Sequence, residues 1–164
     1  MTDPWAADRI VHVYERTMIE LSSMAPEEMY QTKIVEWEGR DYILIVEDDG
    51  DVSDTFTEVL EEDGHRVVTF ENGRLALDYL RQKSVLPRLI FLDFLMPHMD
   101  GWEFLAERRK DARISEVPVI GISGSDRVDA RALSRSVVEV LRKPVSLDVL
   151  LDAVRRCAPE SFEM

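Results

Sequence analysis

Four apolar runs of this sequence end in residues that could perform chemistry together. In chain order they end in the acids Glu47 and Asp48, the acid Asp93, the hydroxyl of Ser123 and the ammonium group of Lys143. A carboxylate can attack phosphorus and form an aspartyl phosphate, provided that the charge on the transferring group is balanced. Carboxylates crowded together resist ionisation unless a cation joins them, and Mg²⁺ is a small, hard cation that prefers oxygen ligands. These residue types therefore favour phosphoryl transfer to Asp93 at a site that binds Mg²⁺.

The hydroxyl and the ammonium group would each serve that transfer. Lys143 would share with Mg²⁺ the neutralisation of the phosphoryl group, and Ser123 can donate a hydrogen bond to a phosphoryl oxygen. The loop that carries Ser123 would then be drawn towards the modified Asp93, which makes a switch. Each residue alone is a weak signal, because an acid pair, a serine or a Lys-Pro step after a strand is usually only a turn or a cap. Their occurrence at successive strand ends carries the prediction.

The elements that must position these residues alternate regularly from Tyr42 onward. Short runs rich in Ile, Val, Leu and Phe are separated by longer amphipathic stretches, which is typical of a parallel sheet with helices on both faces. We predict strands at 42–47, 66–70, 88–92, 117–122 and 137–142. The helix signals are Gly64 as a stop and Asn72, Asp100 and Ser146 near helix starts. Ligands of open parallel sheets bind beyond the carboxyl ends of the strands, so the candidate residues should meet on one rim.

Residues 1–40 do not follow this alternation. Asp3 and Pro4 suit a helix start, and apolar residues then share one helical face as far as Pro26. The following segment 35–38 fits either a helix or a strand. We interpret 1–40 as a helical N-terminal extension for interaction or self-association, 41–158 as the main domain and 159–164 as a C-terminal tail.

Composition and charge exclude several classes of protein. The 164 residues, 45% hydrophobic and 32% charged, suit one folded domain with an appendage. No run approaches the roughly 20 apolar residues of a membrane span. The N-terminus has no secretory pattern and the lone Cys157 cannot form a disulfide framework, so we expect a cytoplasmic protein. A net charge of −13 opposes binding to nucleic acid or to anionic lipid.

The most specific motifs are LDFLMP at 92–97 and MDG at 99–101. With the strand-end acids, hydroxyl and lysine, they make residues 42 to about 156 resemble the receiver domain of two-component response regulators. The resemblance implies a flavodoxin-like, doubly wound sheet of five parallel strands in the order 2-1-3-4-5. It implies the following roles: Asp93 as phosphoacceptor, Ser123 as switch hydroxyl, Lys143 as phosphate contact, and Asp48, Asp93, the Leu95 backbone carbonyl and, through water, Glu47 as Mg²⁺ ligands. It also implies a cis peptide before Pro144.

The resemblance further implies which partners the protein has. A histidine kinase or phosphotransfer protein would donate the phosphoryl group, and a downstream target protein would read the result. Without a DNA-binding or enzymatic output domain, the chain is expected to act as a stand-alone receiver that switches protein interactions. A homodimer through residues 1–40 is a further expectation.

Departures from the family pattern concern the output half of the domain. Val140 stands where an aromatic residue is usual, and the span from Ser123 to Lys143 is shorter than is usual, so the helix between the fourth and fifth strands is expected to be short or displaced. Gly121 and Gly124 flank Ser123 and would give its loop extra freedom. Arg127, Arg131 and Arg135 form a basic stripe, which suits a solvated helix face or a surface for an acidic partner.

Three other functions can be compared with the same residues; one stays open, and two need a residue pattern that this chain does not have. A receiver fold that signals without phosphate would explain Val140. A phosphatase of the haloacid dehalogenase type needs a second acid two residues after the nucleophile, where this chain has Leu95. A dinucleotide-binding fold needs a Gly-x-Gly-x-x-Gly turn, and Glu47 to Asp51 offers none.

Overall fold

A computed structural model describes residues 42–125 and 137–157. Within them the strands are β1 Ile43–Val46, β2 Val67–Phe70, β3 Leu89–Asp93, β4 Val119–Ser123 and β5 Val137–Arg142. The helices are α1 Gly50–Glu62, α2 Gly73–Gln82, α3 Gly101–Arg108, α4 Ala112–Ser115 and α5 Leu147–Cys157. All strand pairs are parallel, and the sheet order is β2-β1-β3-β4-β5. The predicted flavodoxin-like fold is confirmed.

Both faces of the central strands are buried, because successive side chains of a strand point to opposite faces. One face packs against α1 and α5 in a cluster that includes Ile43, Ile45, Phe91, Ile122, Leu60 and Leu150. The alternate residues of β1 and β3, such as Leu44 and Leu92, are fully buried on the other face. Helices α2 and α3 pack together and bury Leu77, Leu80, Phe104 and Leu105. The edge strands β2 and β5 are only partly buried, so their apolar runs are less continuous.

The helices begin and end at the residues that local chemistry favours. Asn72 and Asp100 cap α2 and α3 with their side chains, and Asp100 forms a capping box with Glu103. Ser146 Oγ accepts the Val149 N–H at 3.4 Å at the start of α5. Gly64 has a φ of +92° just after α1, a conformation that favours glycine. The predicted helix starts and the predicted stop are confirmed.

The bounds of β1 to β4 differ from the prediction by one or two residues, and one short helix is additional. Strands β3 and β4 run one residue further than expected, because Asp93 pairs with Ile122 and Ser123 pairs with Arg142. The short helix α4 was not predicted. Its chain segment is tied to the buried Arg108, whose guanidinium group donates to the carbonyl oxygens of Ser115 (3.1 Å) and Val117 (3.0 Å).

Several predictions concern residues outside the described ranges. They are the N-terminal helix within 1–40, the basic stripe from Arg127 to Arg135, the shortened helix between β4 and β5, and the tail 159–164. Among the residues that are described, no helix has both the length and the apolar character to cross a membrane.

Candidate functional site

Three acids meet at the carboxyl ends of β1 and β3. Glu47 directly follows β1 and Asp93 ends β3, and the two strands are neighbours with Val46 paired to Leu92. Carboxylate oxygens of Glu47, Asp48 and Asp93 all lie within 4.8 Å of one another. Glu47 and Asp93 are each 2% exposed, whereas Asp48 is exposed. The structure therefore combines two buried acids with one that faces solvent.

Lys143 lies against the two buried acids. Its Nζ is 3.2 Å from Asp93 Oδ2 and 3.1 Å from Glu47 Oε2. Its backbone N–H donates to the Ser123 carbonyl at 2.8 Å, and its peptide bond to Pro144 is cis, as the resemblance implied. Burial acts to lower the pKa of Lys143, but Glu47 and Asp93 outweigh that effect and raise the pKa above its usual value. The ammonium group therefore stays charged at neutral pH.

Glu47 is held in an environment that disfavours its charge. Burial raises the pKa of Glu47 to about 7; the Asp49 N–H, 3.1 Å from Oε1, opposes the rise, and the charge of Asp93 adds to it. Glu47 Oε2 is buried and forms an ion pair with the Lys143 ammonium group at 3.1 Å. Lys143 supplies one positive charge against three carboxylates, so a second cation would relieve the cluster.

The donor set fits a hard divalent cation. All three side chains offer oxygen, which Mg²⁺ prefers, and the exposed Asp48 leaves a side open to water. Leu95 lies on the same rim: its N–H donates to Asp93 Oδ1 at 3.2 Å and its side chain is 69% exposed. These residues could hold a cation and still leave room for an incoming group.

Ser123 stands at the end of β4, next to β3, and is buried. Its hydroxyl donates to the Ser125 carbonyl at 3.2 Å and accepts the Ser125 N–H at 3.0 Å. The hydroxyl is thus engaged within its own loop. It would have to exchange its bond to the Ser125 carbonyl for one to a phosphoryl oxygen, which is what a switch requires.

Asp49 has a separate use from the two acids before it. Its side chain accepts the N–H groups of Asp51 (3.0 Å) and Val52 (3.2 Å) and so caps α1. Acids that could bind a cation and acids that cap a helix look alike in sequence. The start of a helix, with N–H groups two and three residues after Asp49, was the signal that could have separated Asp49 from Asp48.

The expectation that Gly121 gives the Ser123 loop extra freedom is wrong. Gly121 lies within β4, paired with Leu92 of β3 and Val140 of β5. A Cβ built on it would lie 2.3 Å from Cε2 of Phe94. The glycine provides space for a buried ring. Phe94 and Gly121 were not predicted as partners, since Phe94 follows β3 whereas Gly121 lies within β4.

Comparisons with known proteins agree with this geometry. The family described as the response regulator receiver domain matches residues 43–155. Protein PilH of Pseudomonas aeruginosa is 31% identical over 114 residues, which cover 68% of this chain and 93% of PilH. The signal receiver domain of a signal transduction histidine kinase from Syntrophus aciditrophicus has 30% identity and a TM-score of 0.65, covering 76% of this chain and 95% of its own. The receiver domain of NtrX from Brucella abortus has 30% identity and a TM-score of 0.63, covering 73% of this chain and 99% of its own.

Proposed function

Because the chain belongs to the family of response regulator receiver domains, we propose that Asp93 accepts a phosphoryl group from a histidine kinase or phosphotransfer protein, with Mg²⁺ at the neighbouring acids. The observation that carries the proposal is the buried Asp93 carboxylate, 3.2 Å from the Lys143 ammonium group and clustered with Glu47 and Asp48. The cation ligands would be Asp48, Asp93 and the Leu95 carbonyl, with Glu47 acting through water.

The proposed step is a displacement at phosphorus. An Asp93 carboxylate oxygen forms a bond to phosphorus, while the bond from phosphorus to the donor breaks and its electron pair leaves with the donor atom. With acetyl phosphate the leaving group is acetate and no proton has to move. Bound Mg²⁺ would supply positive charge to the phosphoryl oxygens. Lys143, already in contact with Asp93, adds a second positive charge on the same side.

The proposed output is a change in protein interactions. After transfer, the Ser123 hydroxyl would turn from the Ser125 carbonyl to a phosphoryl oxygen and carry its loop with it. The net charge of −13 favours a protein target over nucleic acid. We include in the proposal a downstream target protein and self-association through residues 1–40.

Intact-mass measurement after incubation with acetyl phosphate and Mg²⁺ tests the proposed transfer. We expect one added phosphoryl group, which is absent from Asp93→Asn and is lost when EDTA removes the cation. Asp49→Asn is the matched control, because it makes the same chemical change in the same acidic region but replaces a helix cap with another good cap. It should be modified like the wild type. A wild-type protein that accepts no phosphoryl group from acetyl phosphate or from any histidine kinase tried would refute the proposal.

A second candidate function is a receiver-fold adaptor that works without phosphate. It is favoured by Val140, a half-buried β5 residue at the position where the family usually has an aromatic switch. Pull-downs with the wild type, with and without Mg²⁺ and beryllofluoride, and with Asp93→Asn separate the two functions. An identical set of partners in all three samples supports the adaptor, whereas partners that depend on beryllofluoride support phosphorylation control.

A further inference from the structure

Phe94 directly follows the phosphoacceptor and is completely buried between two glycines. A Cβ on Gly121 of β4 would lie 2.3 Å from Phe94 Cε2, and a Cβ on Gly101 of α3 would lie 2.8 Å from Phe94 Cα and 3.0 Å from its Cδ1. Carbon atoms that are not bonded pack at about 3.5 to 4.0 Å, so neither glycine can be replaced unless Phe94 moves. The ring therefore occupies a slot that exists because both neighbours lack a side chain.

The backbone of Phe94 is held on both sides. Its N–H donates to the Ile122 carbonyl of β4 at 3.1 Å, and its carbonyl accepts the Gly101 N–H of α3 at 3.1 Å. The Trp102 ring lies 4.8 Å from the Phe94 ring, centroid to centroid. Strand β4, helix α3 and the ring slot thus all fix one residue.

The residues on either side of Phe94 face the site. Asp93 carries the carboxylate, and Leu95, 69% exposed, donates its N–H to Asp93 Oδ1 at 3.2 Å. The Leu95 side chain of this turn is exposed to solvent, whereas Phe94 is the residue that packs the turn into the core. A shift of the buried ring would therefore move the carboxylate and the Leu95 peptide together.

We infer that Phe94, seated against Gly121 and Gly101, is a positioning residue for phosphoryl transfer: it holds the Asp93 carboxylate and the Leu95 peptide where the incoming phosphoryl group and the cation need them. The inference rests on the proposed function. Transfer depends steeply on alignment, and a displacement of about 1 Å from a change away from the chemistry can cost about 100-fold in rate. Gly121 also lies two residues before Ser123 on β4, so the same slot connects the switch strand to the phosphoacceptor turn.

The test uses one variant that adds a group to the slot, at Gly121, and one that makes the ring smaller, at Phe94. The measured quantity is the initial rate of phosphoryl uptake from acetyl phosphate at saturating Mg²⁺. Gly121→Ala should slow uptake by about tenfold or more, because the new methyl group pushes the ring and with it Asp93. Phe94→Leu should slow it by up to about tenfold, because the turn loses its anchor. In the double variant, which combines Gly121→Ala with Phe94→Leu, the alanine methyl group fills space that the ring has left. Its rate of phosphoryl uptake should return to within about threefold of the wild-type rate.

Phe91→Leu is the matched control for general loss of core packing. Phe91 lies on β3, three residues before Phe94, is equally buried and packs in the cluster against α1 and α5, so the identical substitution there should cost similar stability but leave uptake within about twofold. Gly124→Ala is the control for adding a methyl group near Ser123, because a Cβ at Gly124 meets nothing within 4 Å. Urea unfolding confirms that each variant is folded at the assay temperature.

Recovery in the double variant would support the inference, since a purely destabilising pair of changes would not restore the rate. The inference is overturned if Gly121→Ala reacts like the wild type, if Phe91→Leu slows uptake as much as Phe94→Leu, or if the double variant is as slow as Gly121→Ala. These outcomes leave the proposed function intact, because the wild type is still modified on Asp93. A wild type that takes up no phosphoryl group from any donor instead refutes the proposed function, and this inference with it.

Discussion

Replacing Glu47 with glutamine should stabilise the protein in the absence of metal at alkaline pH. The pKa of Glu47 is raised from 4.5 to about 7, first by burial and then by the charge of Asp93, against the opposing Asp49 N–H. The folded protein therefore holds this proton more tightly than the unfolded chain does. Above pH 7 the folded protein must keep a buried carboxylate that its surroundings disfavour, whereas glutamine has a similar shape and no charge.

The magnitude follows from proton linkage. Between pH 4.5 and about 7 the folded state binds more protons than the unfolded state, so the wild-type free energy of unfolding falls as pH rises through this window and levels off above it. Each pKa unit corresponds to about 1.4 kcal/mol, which sets an upper limit of about 3 kcal/mol at pH 8 and less than about 1 kcal/mol at pH 5. Glu47→Gln lacks this slope, so its advantage over the wild type should grow with pH.

Urea unfolding followed by circular dichroism, in EDTA at pH 5 and pH 8, measures this difference. Glu58→Gln is the matched control, because Glu58 is exposed on α1 and its replacement should change the free energy of unfolding by no more than about 0.5 kcal/mol at either pH. Adding Mg²⁺ should then narrow the difference in stability between Glu47→Gln and the wild type. A ligand at 100 times its Kd stabilises by about 2.7 kcal/mol, and the variant, with fewer charges for the cation, should gain less than the wild type.

A Glu47→Gln variant that is less stable than the wild type at pH 8 in EDTA would show that the ionised carboxylate is favoured in the fold. The proposed effect of burial and of the Asp93 charge on the Glu47 carboxylate would then be wrong. An unchanged pH slope in the variant would also refute it, because the slope would have to come from other groups.

Three further predictions concern single side chains. Asp48→Asn should leave stability in EDTA within about 0.5 kcal/mol, because Asp48 is exposed, but should weaken Mg²⁺ binding by about tenfold or more in a calorimetric titration; unchanged binding would remove Asp48 from the site. Ser123→Ala should leave Mg²⁺ affinity within about twofold but slow phosphoryl uptake by about tenfold, since it removes one hydrogen bond to a charged oxygen. Equal uptake rates would contradict the switch role of this hydroxyl, which bonds the Ser125 carbonyl in the structure. Asp100→Ala removes the capping box with Glu103, so urea unfolding should show a loss of about 1 kcal/mol, whereas Mg²⁺ affinity stays unchanged; a loss below about 0.3 kcal/mol would mean that the cap contributes little.

Local sequence patterns determined most of the fold. Apolar runs alternating with amphipathic stretches predicted the five strands, because a strand buried on both faces must be apolar throughout. The caps at Asn72, Asp100 and Ser146 were predictable, since they depend on hydrogen bonds to residues three positions ahead. The motif around Asp93 indicated the family, and with it the order of the strands.

Contacts between distant parts of the chain decided the character of the site. Glu47, Asp48 and Asp49 are consecutive acids, yet one is buried against Lys143, one is exposed in the same cluster and one caps a helix. The pKa of Glu47 depends on burial and on Asp93, neither of which has a signature in the sequence around Glu47.

The slot that holds Phe94 is also a product of the tertiary structure. The ring contacts Gly121 on the neighbouring strand and Gly101 at the start of α3, and each glycine read alone suggests only backbone freedom. Sequence periodicity reports which face of an element is apolar, because that depends on near neighbours. Desolvation, charge balance and the fit of a ring against a glycine depend on atoms brought together through space, and only the folded chain determines them.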